Sequence, residues 1–367
     1  MSLPTPSARA SAGSAPAWME WSALWTVYLV WGSTYLAIRI VVETLPPLLS
    51  AGARFLTAGV IMALFLMWRG GVSRMRVSLR EVGASTLVGA ALLLGGNGLV
   101  TIAEQDVPSG LAALIIASVP LWVVLLRALF GDRASGGTLV GVAVGFAGVG
   151  ILVGSSGGSS GGTVGGVLLL VLASLSWAGG SFFSAKLPMP RDPFVSTSVQ
   201  MITGGIALLV ASVTFGELNG LDPSSFSRGS LVALGYLVVF GSLLAFTAYT
   251  WLLNNAPISK VSTYAYVNPV VAVFLGWIVL SETITVLMLV GAAVIVASVA
   301  FIVRHEHAKR TAEQRATASA SEDAEPDKVG PGSAREAEPP RAGDELPRPE
   351  PSSVPSGGGT LAASKHD

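Results

Sequence analysis

Residues 31–56 read WGSTYLAIRIVVETLPPLLSAGARFL, an apolar stretch that nevertheless contains Arg39, Glu43 and Arg54. A water-soluble core rarely contains such charges, because burying an unpaired charge is strongly unfavourable. The stretch is better explained as parts of two membrane helices joined at the adjacent prolines 46–47, since proline is tolerated at a helix start but not in a helix interior. Each charge is then costly where it stands, and therefore informative about function.

The charges of the chain are distributed unevenly, although 22 Lys+Arg balance 22 Asp+Glu overall. Up to Val303 we count 13 basic and 10 acidic residues, whereas residues 304–367 contain 9 and 12. The first part is rich in Leu, Val, Ala and Gly, as expected of a membrane protein. The second part is rich in Ala, Glu, Pro and Ser and cannot bury enough apolar surface to fold. We predict a disordered N-terminal lead at residues 1–20 and a disordered cytoplasmic tail at residues 304–367.

The sequence contains no motif for a cofactor or a metal. Cysteine is absent, and the histidines His305, His307 and His366 all fall in the predicted tail, which excludes a His- or Cys-ligated metal site inside the apolar body. No G-x-x-x-x-G-K-[ST] loop is present to hold nucleotide phosphates. The Gly/Ser run at residues 154–163 has no preceding strand, so we interpret it as a flexible linker. We expect no cofactor, no metal, no catalytic residue and no nucleic-acid partner.

About ten apolar runs have the length of a membrane helix. A bilayer core about 30 Å thick needs about 20 apolar helical residues to cross it. The runs, called spans one to ten, lie near residues 21–42, 48–68, 82–103, 109–130 and 138–153, and near residues 164–186, 194–216, 231–253, 259–280 and 285–303. The chain is therefore predicted to be an all-α polytopic membrane protein whose solvent is the lipid bilayer.

Basic residues concentrate in every second loop, and cytoplasmic loops are the ones that collect Lys and Arg. The other loops contain only Arg228. This alternation predicts a multi-pass protein of the cytoplasmic membrane with both termini in the cytoplasm. The basic loop residues are Arg69, Arg74, Arg76 and Arg80 after span two, Arg133 after span four, Lys186 and Arg191 after span six, Lys260 after span eight, and Arg304, Lys309 and Arg310 after span ten.

An internal repeat divides the apolar body into two halves. ARFLTAGVIMAL at residues 53–64 aligns with VQMITGGIALLV at residues 199–210 at an offset of 146. Trp31 and Trp177 align at the same offset, and two prolines in each half align at an offset of 149. Because each half contains five spans, an odd number, the second half must lie inverted in the membrane. We predict two inverted five-helix repeats, at residues 21–153 and 164–303.

These segments resemble EamA-type permeases of the drug/metabolite transporter superfamily, and most strongly the YedA-like branch. The segments that carry the resemblance are residues 31–59, NGLVTIAEQDVPSGLAALIIASVPLWVVLL at residues 97–126 and TYAYVNPVVAVFLGWIVLSETIT at residues 263–285. It implies ten helices in an inverted-repeat bundle and secondary transport of a small organic solute, amino-acid-like or drug-like, often by export. A polytopic membrane enzyme or a receptor stays as the alternative, although the Asp-rich metal motifs and Ser/His constellations of such enzymes are missing from the spans.

The sharpest site prediction concerns Pro120 and Pro269, which fall near the middle of spans four and nine. A proline removes one backbone donor, and a freed carbonyl at this depth must face protein or a wet cavity. We predict helix breaks at both prolines and a substrate cavity lined by Tyr264, Asn268 and Ser118. The alternative is that the prolines only bend the helices, and that neighbouring groups satisfy the polar side chains.

Four further residues are candidates for the same site. The matched tryptophans Trp31 and Trp177 either stack on substrate or only pack. Arg54 lies inside the outer end of span two and cannot lose its charge, so it needs a partner. Glu104 is the first candidate for that partner, and Glu43 the second. Two roles stay open for Arg54: an ion pair that closes the outer side, or a gate or anchor for a substrate carboxylate.

Gly137, Gly141 and Gly145 place small residues along one face of span five. Such a face permits close helix packing, either inside the bundle or between two protomers. A homodimer is therefore an alternative that the sequence leaves open.

Overall fold

The computed structural model describes residues 16–131, 135–154, 163–256, 258–261 and 263–323, with side chains as far as His305 except those of Asn254, Ile258 and Ser259. All regular elements in these ranges are helical, which confirms the predicted fold class. Nine helices of the described ranges are long and apolar enough to cross a membrane, and a tenth apolar helix is shorter. In chain order, α1 to α10 are Ala17–Val41, Pro47–Gly70, Leu79–Ala103, Ser109–Leu129, Gly136–Gly154, Val164–Ser184, Pro193–Thr214, Arg228–Leu253, Tyr264–Leu280 and Val286–Asp323.

The helical part of the chain begins and ends at residues other than those predicted. α1 begins at Ala17, within the predicted N-terminal lead, and α10 continues to Asp323 rather than ending near Val303. Residues 304–323 contain no glycine or proline and are rich in Ala, Glu, Arg and Lys, which favour helix. The rest of the predicted tail, residues 324–367, lies outside the described residues, as do residues 155–162 of the predicted linker.

The equivalent helices α2 and α7 pack against each other through matched glycines. A Cβ placed on Gly59 would lie 2.9 Å from the backbone nitrogen of Ile202, and one placed on Gly205 would lie 2.6 Å from that of Leu56. The offset of 146 relates Gly59 to Gly205 and Leu56 to Ile202. The two contacts are thus equivalents of each other, as they must be when two related halves meet across a two-fold axis.

The direction of these two helices shows that the halves are inverted. Along α2 the contacts run from Gly52 to Gly59, while their partners along α7 run backwards from Leu209 to Ile202. Equivalent helices therefore cross the bundle in opposite directions, as inverted repeats require.

The glycine face of α5 packs inside the bundle. Ser298 on α10 donates a hydrogen bond to the carbonyl oxygen of Gly141. A Cβ on Gly145 would lie 2.7 Å from the Ser298 hydroxyl, and one on Gly137 would lie 3.2 Å from the His305 ring. Because α10 packs on the glycine face of α5, this face is not available to a second protomer. The homodimer therefore stays a prediction, without support from these glycines.

Carboxylates from the second half bind the starts of two first-half helices. Glu217, which follows α7, accepts hydrogen bonds of 3.0 and 2.8 Å from the backbone nitrogens of Leu48 and Leu49. Glu282, which follows α9, accepts from the first two nitrogens of α4 at 2.8 and 3.0 Å. Negative charge is favourable at a helix start, so these contacts stabilise both helices. They also connect the halves at one end of the bundle, which we call the acidic end.

Ion pairs connect the halves at the opposite end, called the basic end. Arg74, after α2, binds Asp192 at the start of α7 with a nitrogen–oxygen distance of 2.7 Å. Lys260, before α9, binds Glu20 near the start of α1 at 2.8 Å.

Several helices are irregular where they approach the centre. α3 and α8 contain π-helical segments at equivalent places, Ala90–Gly98 and Leu237–Leu244, a feature common at functional sites. α4 consists of two pieces, Ser109–Ile116 and Val119–Leu129, and Pro120 is the second residue of the second piece.

The predicted break at Pro269 is wrong in position. Pro269 lies inside the continuous helix Tyr264–Leu280, and the chain turns earlier, at Thr263, after the short helix Ile258–Val261. The Thr263 carbonyl accepts hydrogen bonds from Tyr266 and Val267 and so starts the new helix. Pro269 removes one backbone hydrogen bond inside this helix. Membrane helices can contain such a proline where neighbouring groups satisfy the freed carbonyl.

Candidate functional site

A cavity of about 270 Å³ lies between the two repeats. Its walls come from α1 to α4 of the first half and from α6, α8 and α9 of the second, so neither half could form it alone. Seven of the residues that the sequence singled out line it, namely Trp31, Arg54, Pro120, Trp177, Tyr264, Asn268 and Pro269.

Trp31 is the centre of an aromatic wall. Its ring lies 5.2 Å from that of Phe246, 5.0 Å from that of Tyr249 and 5.4 Å from that of Tyr264, measured between ring centres. Its indole nitrogen donates to the carbonyl oxygen of Gly241 at 3.2 Å. Because its nitrogen is bonded and its ring is surrounded, Trp31 presents a fixed apolar surface to the cavity.

Sequence reasoning missed Phe246 and Tyr249. They are three residues apart on α8 and therefore share one helix face. This spacing is the sequence pattern that could have grouped them. Apolar composition alone did not indicate which face of α8 turns inward.

Trp177 occupies the corresponding position in the other half. A Cβ on Gly96, in the π-helical segment of α3, would lie 2.8 Å from its ring. Each matched tryptophan thus contacts a glycine of the π-helical segment from the opposite repeat: Trp31 donates to the Gly241 carbonyl, and the Trp177 ring lies next to Gly96.

Asn268 is mostly buried on α9 and shares its inner face with Tyr264. When its amide is oriented to satisfy its neighbours, the nitrogen donates to the carbonyl oxygens of Tyr264 at 3.2 Å and of Tyr28 at 3.3 Å. The amide therefore joins α9 to α1 in addition to lining the cavity.

Arg54 provides the positive charge of the cavity wall. Its Nε atom donates to the Ser242 hydroxyl at 2.9 Å, and its terminal nitrogens donate to none of the described residues. Gly241 leaves room for the guanidinium, because a Cβ there would lie 3.2 Å from Nη2. No Asp or Glu is found among the described residues that line the cavity.

The predicted ion pair between Arg54 and Glu104 is not formed in the described part of the chain. The Ser242 hydroxyl and the space beside Gly241 hold the guanidinium toward α8 instead. Glu104, at the end of α3, does not line the cavity. It is fully buried, and neither of its carboxylate oxygens has a hydrogen-bond partner among the described residues.

Ser118 also lies outside the cavity wall, contrary to prediction. It sits at the break in α4, where its hydroxyl donates to the Ile115 carbonyl at 2.7 Å and lies 3.3 Å from the hydroxyl of Ser174. A serine at a helix break can satisfy a nearby carbonyl with its own hydroxyl, so its side chain turns back toward the helix.

Comparison with known proteins agrees with this architecture. The model of the EamA-like transporter family matches the chain twice, at residues 20–154 and at residues 164–304, close to the two predicted repeats. A solved crystal structure with 21% sequence identity superposes with a TM-score of 0.55 over 81% of this chain and 99% of the other, which shows a shared fold.

Curated relatives are similar over most of their length. The "Uncharacterized inner membrane transporter YedA" of Escherichia coli strain K12 is 40% identical over 281 residues, which cover 76% of this chain and 89% of that protein. The "Probable amino-acid metabolite efflux pump" of Salmonella typhimurium is 26% identical over 295 residues, covering 78% and 95%. Together with the double family match, these similarities show that the chain is a multi-pass membrane protein that belongs to the EamA-like transporter family.

Proposed function

We propose that this transporter moves a small organic anion or zwitterion with an apolar body, such as an amino-acid metabolite, across the cytoplasmic membrane by alternating access. The observation that carries the proposal is a cavity walled by both inverted repeats, with one arginine, several aromatic rings and no acidic residue in its described lining. Membership of a transporter family favours transport over the membrane enzyme or receptor that the sequence left open.

Arg54 is the proposed anchor of the substrate. A guanidinium offers several donors and stays charged, and carboxylate is the group that such a fork binds best. Its terminal nitrogens have no acceptor among the described residues, so an incoming carboxylate would find unused donors. Of the two roles left open for Arg54, this arrangement favours the anchor over the closing ion pair.

The remaining walls suit a compact apolar body. Trp31, Trp177, Tyr249 and Tyr264 present ring surfaces, and Asn268 adds the amide of α9. The cavity of about 270 Å³ is at or below the small end of the range typical of drug-sized ligands, about 300–1,000 Å³. The size therefore favours an amino-acid-like metabolite over a bulky drug-like one.

Export and cytoplasmic termini belong to the same proposal. The name of the Salmonella relative, an efflux pump, supports the direction. The basic loops support placing the basic end in the cytoplasm, since Lys and Arg collect there. A reporter fused after Asp323 is expected to show cytoplasmic behaviour, and a periplasmic or extracellular result would contradict this orientation.

The binding experiment uses tryptophan fluorescence of the purified protein in lipid nanodiscs, because Trp31 and Trp177 lie in the cavity wall. Amino acids and other small carboxylates are titrated beside their carboxamide analogues, which match them in shape but lack the negative charge. We expect saturable changes with carboxylates and weak or no response with carboxamides. Equal responses to both series would contradict the role of Arg54.

Two variants locate the effect. Arg54→Gln should weaken carboxylate binding by about 10- to 100-fold, since a hydrogen bond to a charged group contributes about 1.5–3 kcal/mol. Arg80→Gln is the matched control, because Arg80 is exposed and outside the cavity wall. Flux of the best ligand in proteoliposomes then tests transport itself, and an absence of flux with every ligand that binds would refute the transport proposal.

A further inference from the structure

The side chain of Glu104 is in an unusual environment for a carboxylate. Its solvent exposure is zero, and both of its oxygens lack a hydrogen-bond partner among the described residues. An ionised carboxylate without partners is strongly disfavoured in a medium of low dielectric constant, and such a group normally binds a proton instead. The unpartnered oxygens therefore indicate a neutral carboxylic acid in this conformation.

None of the described charged and titratable groups around Glu104 donates a hydrogen bond to its carboxylate oxygens, so the carboxyl group is still expected to be neutral. These groups are Tyr35 and Arg39 on α1, Arg54 on α2 and Glu282 after α9. Arg39 donates its hydrogen bonds to the backbone carbonyls of Glu104 and its neighbour, not to the carboxylate. Arg54 is bonded to α8, and Glu282 is itself a carboxylate that binds the start of α4.

Glu104 lies between the cavity and the exposed loop at the acidic end. On one side are Tyr35 and Arg54, which line the cavity. On the other side the chain continues through Gln105 and Asp106, which are exposed at the acidic end. Opening of the acidic end would bring water to Glu104, and the charge state of Glu104 acts on Arg54, which faces the cavity.

We propose that Glu104 is a proton-binding site, which holds its proton in the closed conformation and releases it to water, or takes it up again, when the acidic end opens. The coupling of this site to transport rests on the proposed function. The step is a simple acid ionisation: the O–H bond of the carboxylic acid breaks, water accepts the proton, and the carboxylate is left next to the opened end. Proton movement would thus accompany the transport cycle.

Infrared spectroscopy of the protein in lipid nanodiscs tests the site without any substrate. Near neutral pH, we expect a carbonyl-stretching band of a protonated carboxylic acid in the natural protein. The band should be lost in Glu104→Gln and kept in Asp106→Asn, a matched control because Asp106 is exposed in the same loop. A band that is missing from the natural protein, or unchanged in Glu104→Gln, overturns the proposal.

A second measurement tests coupling, with the common amino acids as the probe. Proteoliposomes containing a pH-sensitive dye should report proton movement when amino acids are added to the natural protein. Glu104→Gln should retain exchange of radiolabelled amino acid but lose the proton movement. Proton movement that persists in Glu104→Gln overturns coupling through this residue. If no amino acid moves in the natural protein, the proposed substrate class fails, while the infrared band still decides the proton site.

Discussion

The crossing of α2 and α7 allows a sharp prediction about Gly205→Ala. The added Cβ would lie 2.6 Å from the backbone nitrogen of Leu56, whereas ordinary contact begins at 3.4 Å. The helices would have to separate by about 0.8 Å at this point, and overpacking of this kind typically costs about 1–3 kcal/mol. The helix propensity of alanine is also more favourable than that of glycine by about 1 kcal/mol, and this gain offsets part of the loss.

Gly179→Ala is the matched control, because it makes the same change inside α6, where the added Cβ would meet no atom within 4 Å. The helix-propensity gain is common to both variants, so it cancels in their difference. We therefore expect Gly205→Ala to be less stable than Gly179→Ala by about 1–3 kcal/mol. The equivalent change in the other half, Gly59→Ala, should fall between them, since its closest contact is 2.9 Å.

The free energy of unfolding can be compared by titrating sodium dodecyl sulfate into mixed micelles and following helix content by circular dichroism. All three variants are measured beside the natural protein at one lipid-to-detergent ratio. Equal stability of Gly205→Ala and Gly179→Ala would refute the close crossing of α2 and α7, and with it the contact that defines the two-fold axis.

Three other perturbations follow from single contacts. Gly241→Ala should weaken carboxylate binding without lowering expression, because the new Cβ would lie 3.2 Å from Nη2 of Arg54; the nanodisc titration measures it. Glu217→Ala should destabilise the protein by about 1 kcal/mol through loss of the acceptor for the first nitrogens of α2, with Glu217→Gln intermediate in the same unfolding assay. Burial raises the pKa of Asp192, but hydrogen bonds, above all from Arg74, outweigh it and hold that pKa below its usual value. The stabilisation of the folded protein by ionised Asp192 is therefore complete at pH values above the ordinary carboxylate pKa range and is lost as the pH falls below about 4. Asp192→Asn should therefore reduce the loss of stability at acid pH.

The sequence predicted the fold well because the bilayer restricts the solutions so strongly. Within lipid, an apolar run of sufficient length must become a helix, so the spans could be located from composition. The matched segments around Gly59 and Gly205 then indicated two halves, and the odd number of spans fixed their inversion. Each of these steps uses local information along the chain.

The site was predicted less completely, because partner choice depends on packing between distant helices. Trp31 and Tyr264 line the cavity, and their role in substrate binding stays a prediction. The pairing of Arg54 with Glu104 failed, since the competing Ser242 hydroxyl comes from α8, 188 residues away. Ser118 failed because a local helix break turned its hydroxyl toward its own backbone.

The turns in α4 and α9 fall at places that are not equivalent. At the offset of 149, Ala117 corresponds to Tyr266, which is helical, and Thr263 corresponds to Leu114, which is also helical. Matched sequences thus adopt two backbone conformations that differ by the position of one turn. Under alternating access, the halves would trade these conformations, moving the turn of α4 toward Leu114 and that of α9 toward Tyr266. The alternative conformer is accordingly obtained by placing each half of the sequence on the backbone of the other.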